Sequence, residues 1–289
     1  MLDSVTLKIQ PAITPREPYS RTEYSSGYKV NGRVRNLILT SSDEYSILTG
    51  SIPKFRNGSN IETLRFSEIA STINELENEL QCDIGNAQIL GLEWSSTIQT
   101  DYQPKVYYPT LGQTWPFERV PFKNSLYFNS SKRRILFYDK GKEARSPGNL
   151  LRYELSLPKA KNLGLTLVSL TKPEAFNQLT KSWLDVYLSI NKIKKPMPKE
   201  VKTPTDLNRF FQSLGIEVLG GKDEALQLID NLHRLGKIKD YNKTRMRQNL
   251  IDFVSSIGAP TDLEIELNHK FTEVANQNTQ RIINFRNQA

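Results

Sequence analysis

Apolar and polar positions alternate with a period of two along the first half of the chain and with a helical period along the second. The runs "DSVTLKI" (3–9), "RNLILT" (35–40) and "EYSILTGSIPKF" (44–55) read as strands. The polar turn at Ser41–Asp43 closes a hairpin between the last two. "FRNGSN" follows as a turn rich in glycine and asparagine. "FSEIASTINELENEL" (66–80) spaces Ile69, Ile73, Leu76 and Leu80 on one helical face with Ser67 as N-cap, and predicts a helix that covers a sheet. The two-residue period resumes in "NAQILGLEWSSTI" (86–98), "PKVYYPTL" (104–111), "NSLYFN" (124–129), "RRILFYD" (133–139) and "NLLRYELSL" (149–157).

From about residue 171 the text is helical: 172–190, 203–216 with Thr205 as N-cap, 221–238, 243–258, and 261 onward to a frayed tail. A basic, proline-broken connection, "KIKKPMPKEVK" (192–202), separates the first two of these. Many strands in sequence with a helix between them predict an α+β fold, a largely antiparallel sheet covered by helices. The expected domains are a β-rich part, 1–170, and a helical part, 171–289.

Composition narrows the function. Against 31 Asp and Glu stand 39 Lys and Arg, a net charge of +8 that points to an anionic partner, nucleic acid first. Cys82 is the sole cysteine, so neither an internal disulfide nor a cysteine-built zinc site can form. The opening residues lack the pattern of a signal peptide, and no apolar run approaches the ~20 residues of a membrane span. The expected setting is a bacterial cytoplasm, without membrane contact.

Several chemistries lack their motifs. The chain has two histidines, His233 and His269, and they form no His-x-His pair; it also has no GxxxxGK[ST] loop and no Gly-x-Ser-x-Gly. Carboxylates, cations and tyrosines remain. With Mg²⁺ or Mn²⁺ held by hard oxygen ligands, these suffice for phosphoryl transfer to a tyrosine hydroxyl. Because alternate residues of a strand share a face, Arg152, Glu154 and Ser156 form a polar stripe opposite Leu151, Tyr153 and Leu155. By the same rule Arg134, Tyr138 and Lys140 share a face, and Glu93 faces with Gly91 and Ser95. Three neighbouring strands could project Glu93, Tyr138, Arg152 and Glu154 into one cleft. Ordinary structural ion pairing of this arginine and glutamate within the sheet is the plainer alternative.

Four stretches carry a resemblance, in order: "MLDSVTLKI", "TGSIPKFRNGSN" (49–60), "ILFYDKGKE" (135–143) and "LLRYELSLPKAKNLGL" (150–165). Tyr-x-Lys-x-x-Glu falls on Tyr138, Lys140 and Glu143, and Arg-aromatic-Glu on Arg152, Tyr153 and Glu154. In these the chain resembles the gene II/X family of filamentous-phage and plasmid replication initiators over roughly residues 1–170. Glu93 in "GLEW" stands where that family carries an acid in an Arg-Ile-Asp context, with Glu for Asp and no arginine before it.

The resemblance implies a rolling-circle initiator, an endonuclease and strand-transferase. A tyrosine nicks one strand at a single-stranded or hairpin origin and keeps the 5′ phosphate. The freed 3′ hydroxyl serves a host polymerase, a host helicase assists, and the same chemistry re-joins the circle. In that reading Tyr138 is the nucleophile, with Lys140 or Arg152 on the phosphate oxygens. Glu93, Glu143 and Glu154 are the expected metal ligands.

Eight basic residues against three acids between 132 and 159 suit a phosphate backbone. The expected contacts there are Lys132, Arg133, Arg134, Lys142 and Arg145. Lys54 and Arg56 in the 49–60 segment, and Lys243, Arg245 and Arg247 at the start of a helix, are further candidates. The alternatives are a non-cutting DNA-binding regulator and a mobilisation relaxase with the same chemistry.

Overall fold

The protein is described from a computed structural model, covering all residues except 25–26, 194–201, 220, 257–261 and 287–289. Its centre is an antiparallel sheet of ten strands. In chain order these are β1 (Leu2–Ile9), β2 (Pro18–Tyr24), β3 (Gly27–Val34), β4 (Leu37–Ser41), β5 (Ser46–Ser51), β6 (Gln88–Gln99), β7 (Glu118–Pro121), β8 (Ser125–Asn129), β9 (Arg134–Asp139) and β10 (Leu150–Leu157). Across the sheet the order is β2-β3-β4-β5-β1-β6-β10-β9-β8-β7. The α+β expectation therefore holds, and β6, β9 and β10 are neighbours as the convergence argument required.

The helices are α1 (Ile52–Asn57), α2 (Phe66–Leu80), α3 (Lys140–Ala144), α4 (Pro173–Ser189), α5 (Pro204–Val218), α6 (Lys222–Arg234), α7 (Asp240–Ser256) and α8 (Asp262–Arg286). Among the described residues no helix is long and apolar enough to cross a membrane.

Alternation divides the sheet into an apolar face and a polar face. On the apolar face Trp94, Phe137 and Tyr153 meet Phe176 and Trp183 of α4 and Phe271 of α8. Tyr153 stacks between Phe137 and Trp183 at 4.8 and 4.7 Å, and its hydroxyl donates to the Trp183 carbonyl at 2.8 Å. Each such ring pair contributes about 0.5–1.5 kcal/mol beyond its buried area. The Trp94 indole N–H donates to Thr180 Oγ1 at 3.3 Å, which leaves no polar atom of that ring unsatisfied.

The chain divides into two compact units: Met1–Tyr108 with Gln113–Ile190 and His269–Ala289, and Pro109–Gly112 with Asn191–Asn268. This differs from the expected division at residue 170, because α4 and the start of the 269–289 segment supply rings to the sheet's apolar core. The second unit contains α5, α6 and α7; there Asp230 of α6 accepts from Arg247 of α7 at 2.5 Å and forms an ion pair with Lys243 at 3.3 Å.

Local departures from the sequence reading have local causes. "PKVYYPTL" forms two short 3-10 turns, Pro104–Val106 and Tyr108–Thr110, each carrying a proline that cannot donate to a sheet ladder. The strand expected to run through Ile52–Phe55 stops at Ser51, whose hydroxyl caps α1 by accepting from Lys54 N, with Pro53 in the first turn. Arg65 rather than Ser67 is the N-cap of α2, where its backbone N–H donates to Glu68 at 2.8 Å. Ahead of α5, Thr203 and Asp206 bond reciprocally, so Thr203 takes the place expected of Thr205. Most of the basic connection 192–202 and the tail 287–289 lie outside the described residues.

Candidate functional site

Register assembles the site. Arg152, Glu154 and Ser156 of β10 lie opposite Thr97, Ser95 and Glu93 of β6, and Arg152 lies opposite Tyr138 of β9. The Tyr138 hydroxyl donates to Glu154 Oε1 at 2.8 Å, and Arg152 Nε donates to the same oxygen at 2.9 Å. The Arg152 guanidinium also donates to the Asp3 carboxylate, to Ser95 Oγ at 2.8 Å, to Asn60 O at 2.6 Å and to Thr97 Oγ1 at 3.1 Å.

Arg152 is 0% exposed. Burial opposes its charge, and the carboxylates of Asp3 and Glu154 outweigh that, holding the guanidinium above its ordinary range. Burial raises the Glu154 carboxyl although Arg152 pulls it down. Burial, and then the Glu154 charge, push the Tyr138 hydroxyl far above the ordinary phenol range. The tyrosine at rest is therefore a protonated donor whose acceptor is a carboxylate with raised proton affinity.

Lys140 is also 0% exposed; its Nζ donates to Asn60 Oδ1 at 2.9 Å and lies 2.5 Å from Glu143 Oε2. The segment after α1 thus lies against the polar face, with Asn60 serving both Lys140 and Arg152. Neither cation faces open solvent, so in this arrangement they orient the site's acceptors instead of presenting charge to a phosphate.

The expected metal ligands are separated. Glu154 is held by Tyr138 and Arg152. Glu93 accepts from Ser156 at 3.0 Å with Arg134 3.5 Å away, and Glu143 is turned to Lys140 with 54% of its side chain exposed. Among the described residues no three His, Cys, Asp or Glu side chains are grouped so that they could hold a metal ion. The residues as arranged do not fit a common ion.

Further along β10, at Ser156, the polar face opens into a cleft of about 600 Å³ whose lining does not include Tyr138, Arg152 or Glu154. Thr6, Gly91, Glu93 and Ser156 line it, and Arg133 and Arg134 stand at its wall. Lys132, Arg133 and Arg134 are exposed, as are Lys142 and Arg145 around α3 and Lys54 on α1. Arg56 is committed elsewhere: it donates to Glu68 O, Ser71 Oγ and Thr72 Oγ1 at 3.1, 2.6 and 2.7 Å and fixes α1 to α2. In the other unit Lys243 and Arg247 share Asp230, and Arg245 is exposed.

Sequence reasoning missed Asp3, Asn60, Ser95 and Thr97. A bulge between Leu2 and Val5 in the β1–β6 pairing accompanies the placement of Asp3 against the buried arginine. An acid inside an otherwise apolar-alternating strand was the available signal for Asp3; Asn60 stood at the end of the 49–60 stretch of the resemblance with no role attached to it.

No protein-family model matches the chain, and no curated protein matches it. Among solved structures the chain is similar to one described as a rolling circle replication initiator protein from Geobacillus stearothermophilus. The identity is 10%, the match covers 74% of this chain and 95% of that one, and the TM-score is 0.42.

Proposed function

We propose that the protein is a replication initiator of the rolling-circle type that cuts and re-joins one DNA strand through Tyr138. The hydrogen bond from the Tyr138 hydroxyl to Glu154 carries this reading, because it gives a nucleophile and the base that would take its proton. In the forward step the phenolic oxygen bonds to phosphorus and the bond from phosphorus to the 3′ oxygen breaks. The phenolic proton passes to Glu154, and the departing 3′ oxygen takes a proton from water. The 5′ phosphate remains on Tyr138. Re-joining runs the same exchange backward, and since one ester replaces another no nucleotide hydrolysis is needed.

Arg152 is a positioning residue in this scheme: it aims Glu154 and balances Asp3. Arg133 and Arg134 at the cleft wall supply charge for the DNA backbone. A second reading, a DNA-binding regulator that does not cut, is favoured by how fully Arg152 and Lys140 are engaged by protein acceptors.

One experiment separates them. Wild type and Tyr138→Phe are incubated with a labelled pool of random single-stranded oligonucleotides, with and without Mg²⁺ or Mn²⁺, and boiled in detergent. The expected result is an adduct from wild type and none from the variant. Adducts from both would move the nucleophile elsewhere. Salt-sensitive binding without an adduct from either would favour the regulator.

A further inference from the structure

Trp115 leaves 90% of its surface in solvent, whereas Trp94 and Trp183 are both 0% exposed. A lone exposed ring is ordinary on a protein surface; what sets this one apart is its setting. Its segment is not loose. Phe117 N donates to Thr114 O at 2.9 Å, closing a tight turn around the indole. Thr114 and Phe117 on either side are buried, and the Thr114 hydroxyl is 3.1 Å from Ser189 Oγ on α4. The fold presents the indole outward from a fixed base.

The indole lines a groove of about 820 Å³ between α4 and the β8–β9 turn. Lys132 and Arg133 of the turn and Lys181 of α4 surround it, against one carboxylate, Asp185. All three cations are exposed. An aromatic ring in one groove with three cations is the chemistry of single-stranded nucleic acid, where a base stacks and the flanking phosphates take the charges. A duplex keeps its base faces covered by their neighbours. Ser130 and Arg133 line this groove and also the cleft on the polar face, so a strand leaving one can enter the other around the tip of the hairpin.

We propose that Trp115, with Lys132, Arg133 and Lys181, is a binding site for an unpaired stretch of DNA, one base stacking on the indole. The proposal takes its ligand class from the DNA reading above but needs no covalent chemistry.

The test uses the full chain and a labelled oligothymidylate, without divalent cation, read by fluorescence anisotropy and by tryptophan emission. Wild type is expected to bind with quenching of the exposed indole. Trp115→Ala should bind about tenfold or more weakly, the range set by loss of one base stack. Lys181→Gln should make the dependence of affinity on salt shallower by about one contact's worth. Equal affinity for wild type and Trp115→Ala overturns the site, as does equal quenching by a duplex of the same length. If no adduct forms in the Tyr138 experiment while the Trp115 difference persists, cutting is overturned and this site stands. Adduct formation without a Trp115 difference overturns this site alone.

Discussion

Replacing Arg152 with methionine removes the one fully buried guanidinium among the described residues while keeping much of its volume. Two carboxylates, Asp3 and Glu154, lose their cation at 3% and 9% side-chain exposure. The acceptors Ser95, Thr97 and Asn60 lose a donor as well. The two hydroxyls can turn to other acceptors, so the carboxylates dominate. Breaking a buried pair from one side costs about 3–5 kcal/mol, a large share of the ~5–15 kcal/mol that holds a typical domain.

The three tryptophans all lie in the sheet-bearing unit, so their emission during urea unfolding reports that unit alone. With a slope of about 2 kcal/mol per molar, the midpoint should fall by roughly 2 M at neutral pH. The pH dependence follows from Glu154. Burial already raises its carboxyl and Arg152 opposes that, so the variant's folded-state value rises further. A raised folded value means the folded variant binds more protons than the unfolded chain at intermediate pH. Its stability is therefore greatest below the unfolded carboxyl value and is lost as pH climbs through the folded one. The deficit relative to wild type should shrink on acidification from neutrality. A midpoint shift under about 0.5 M, or a deficit that grows as pH falls, would refute the assignment of Arg152 as the cation neutralising this pair.

Two other substitutions test neighbouring claims. Arg56→Ala should destabilise the unit by the worth of its bonds to α2, about 1–2 kcal/mol, seen as a lower urea midpoint, and leave oligothymidylate affinity unchanged; weaker binding with a shallower salt dependence would return Arg56 to the phosphate contacts. Phe271→Ala empties a position bounded by Phe137, Tyr153, Trp183 and Tyr187 and should cost about 3–5 kcal/mol by the same emission signal; an unchanged midpoint would mean that this helix does not complete the core.

The central strands were legible because their two faces differ. Trp94 and Leu92 alternate with Glu93 and Ser95, and Tyr153 and Leu155 with Arg152 and Glu154, so the period survives every substitution of one apolar type for another. The outer strands carry no such contrast. β2, "PYSRTEY", is exposed throughout, and β7 is four residues ending in proline, so neither shows a face to read. Tyr138, Arg152 and Glu154 were found together because strand register preserves sequence spacing in space. Their roles were harder to read. Arg152 was expected at a phosphate, and only its burial and its carboxylate partner Asp3, 149 residues away along the chain, reveal that its charge is spent internally. Glu143 joined Glu93 and Glu154 only through the resemblance; strand spacing gave no position for it, because α3 begins at Lys140 and turns Glu143 to that lysine.

The return of the chain to the sheet at Phe271 also has a consequence for biosynthesis. The aromatic layer over Phe137 and Tyr153 takes residues from α4 and then, after Asn191–Asn268 have been laid down in the second unit, from α8. On the ribosome, the sheet and α4 are complete well before the ring that closes their core has been translated. At about 5–20 residues per second, that interval lasts several seconds. Throughout it the nascent protein displays an unfinished aromatic surface, the kind of surface a chaperone captures.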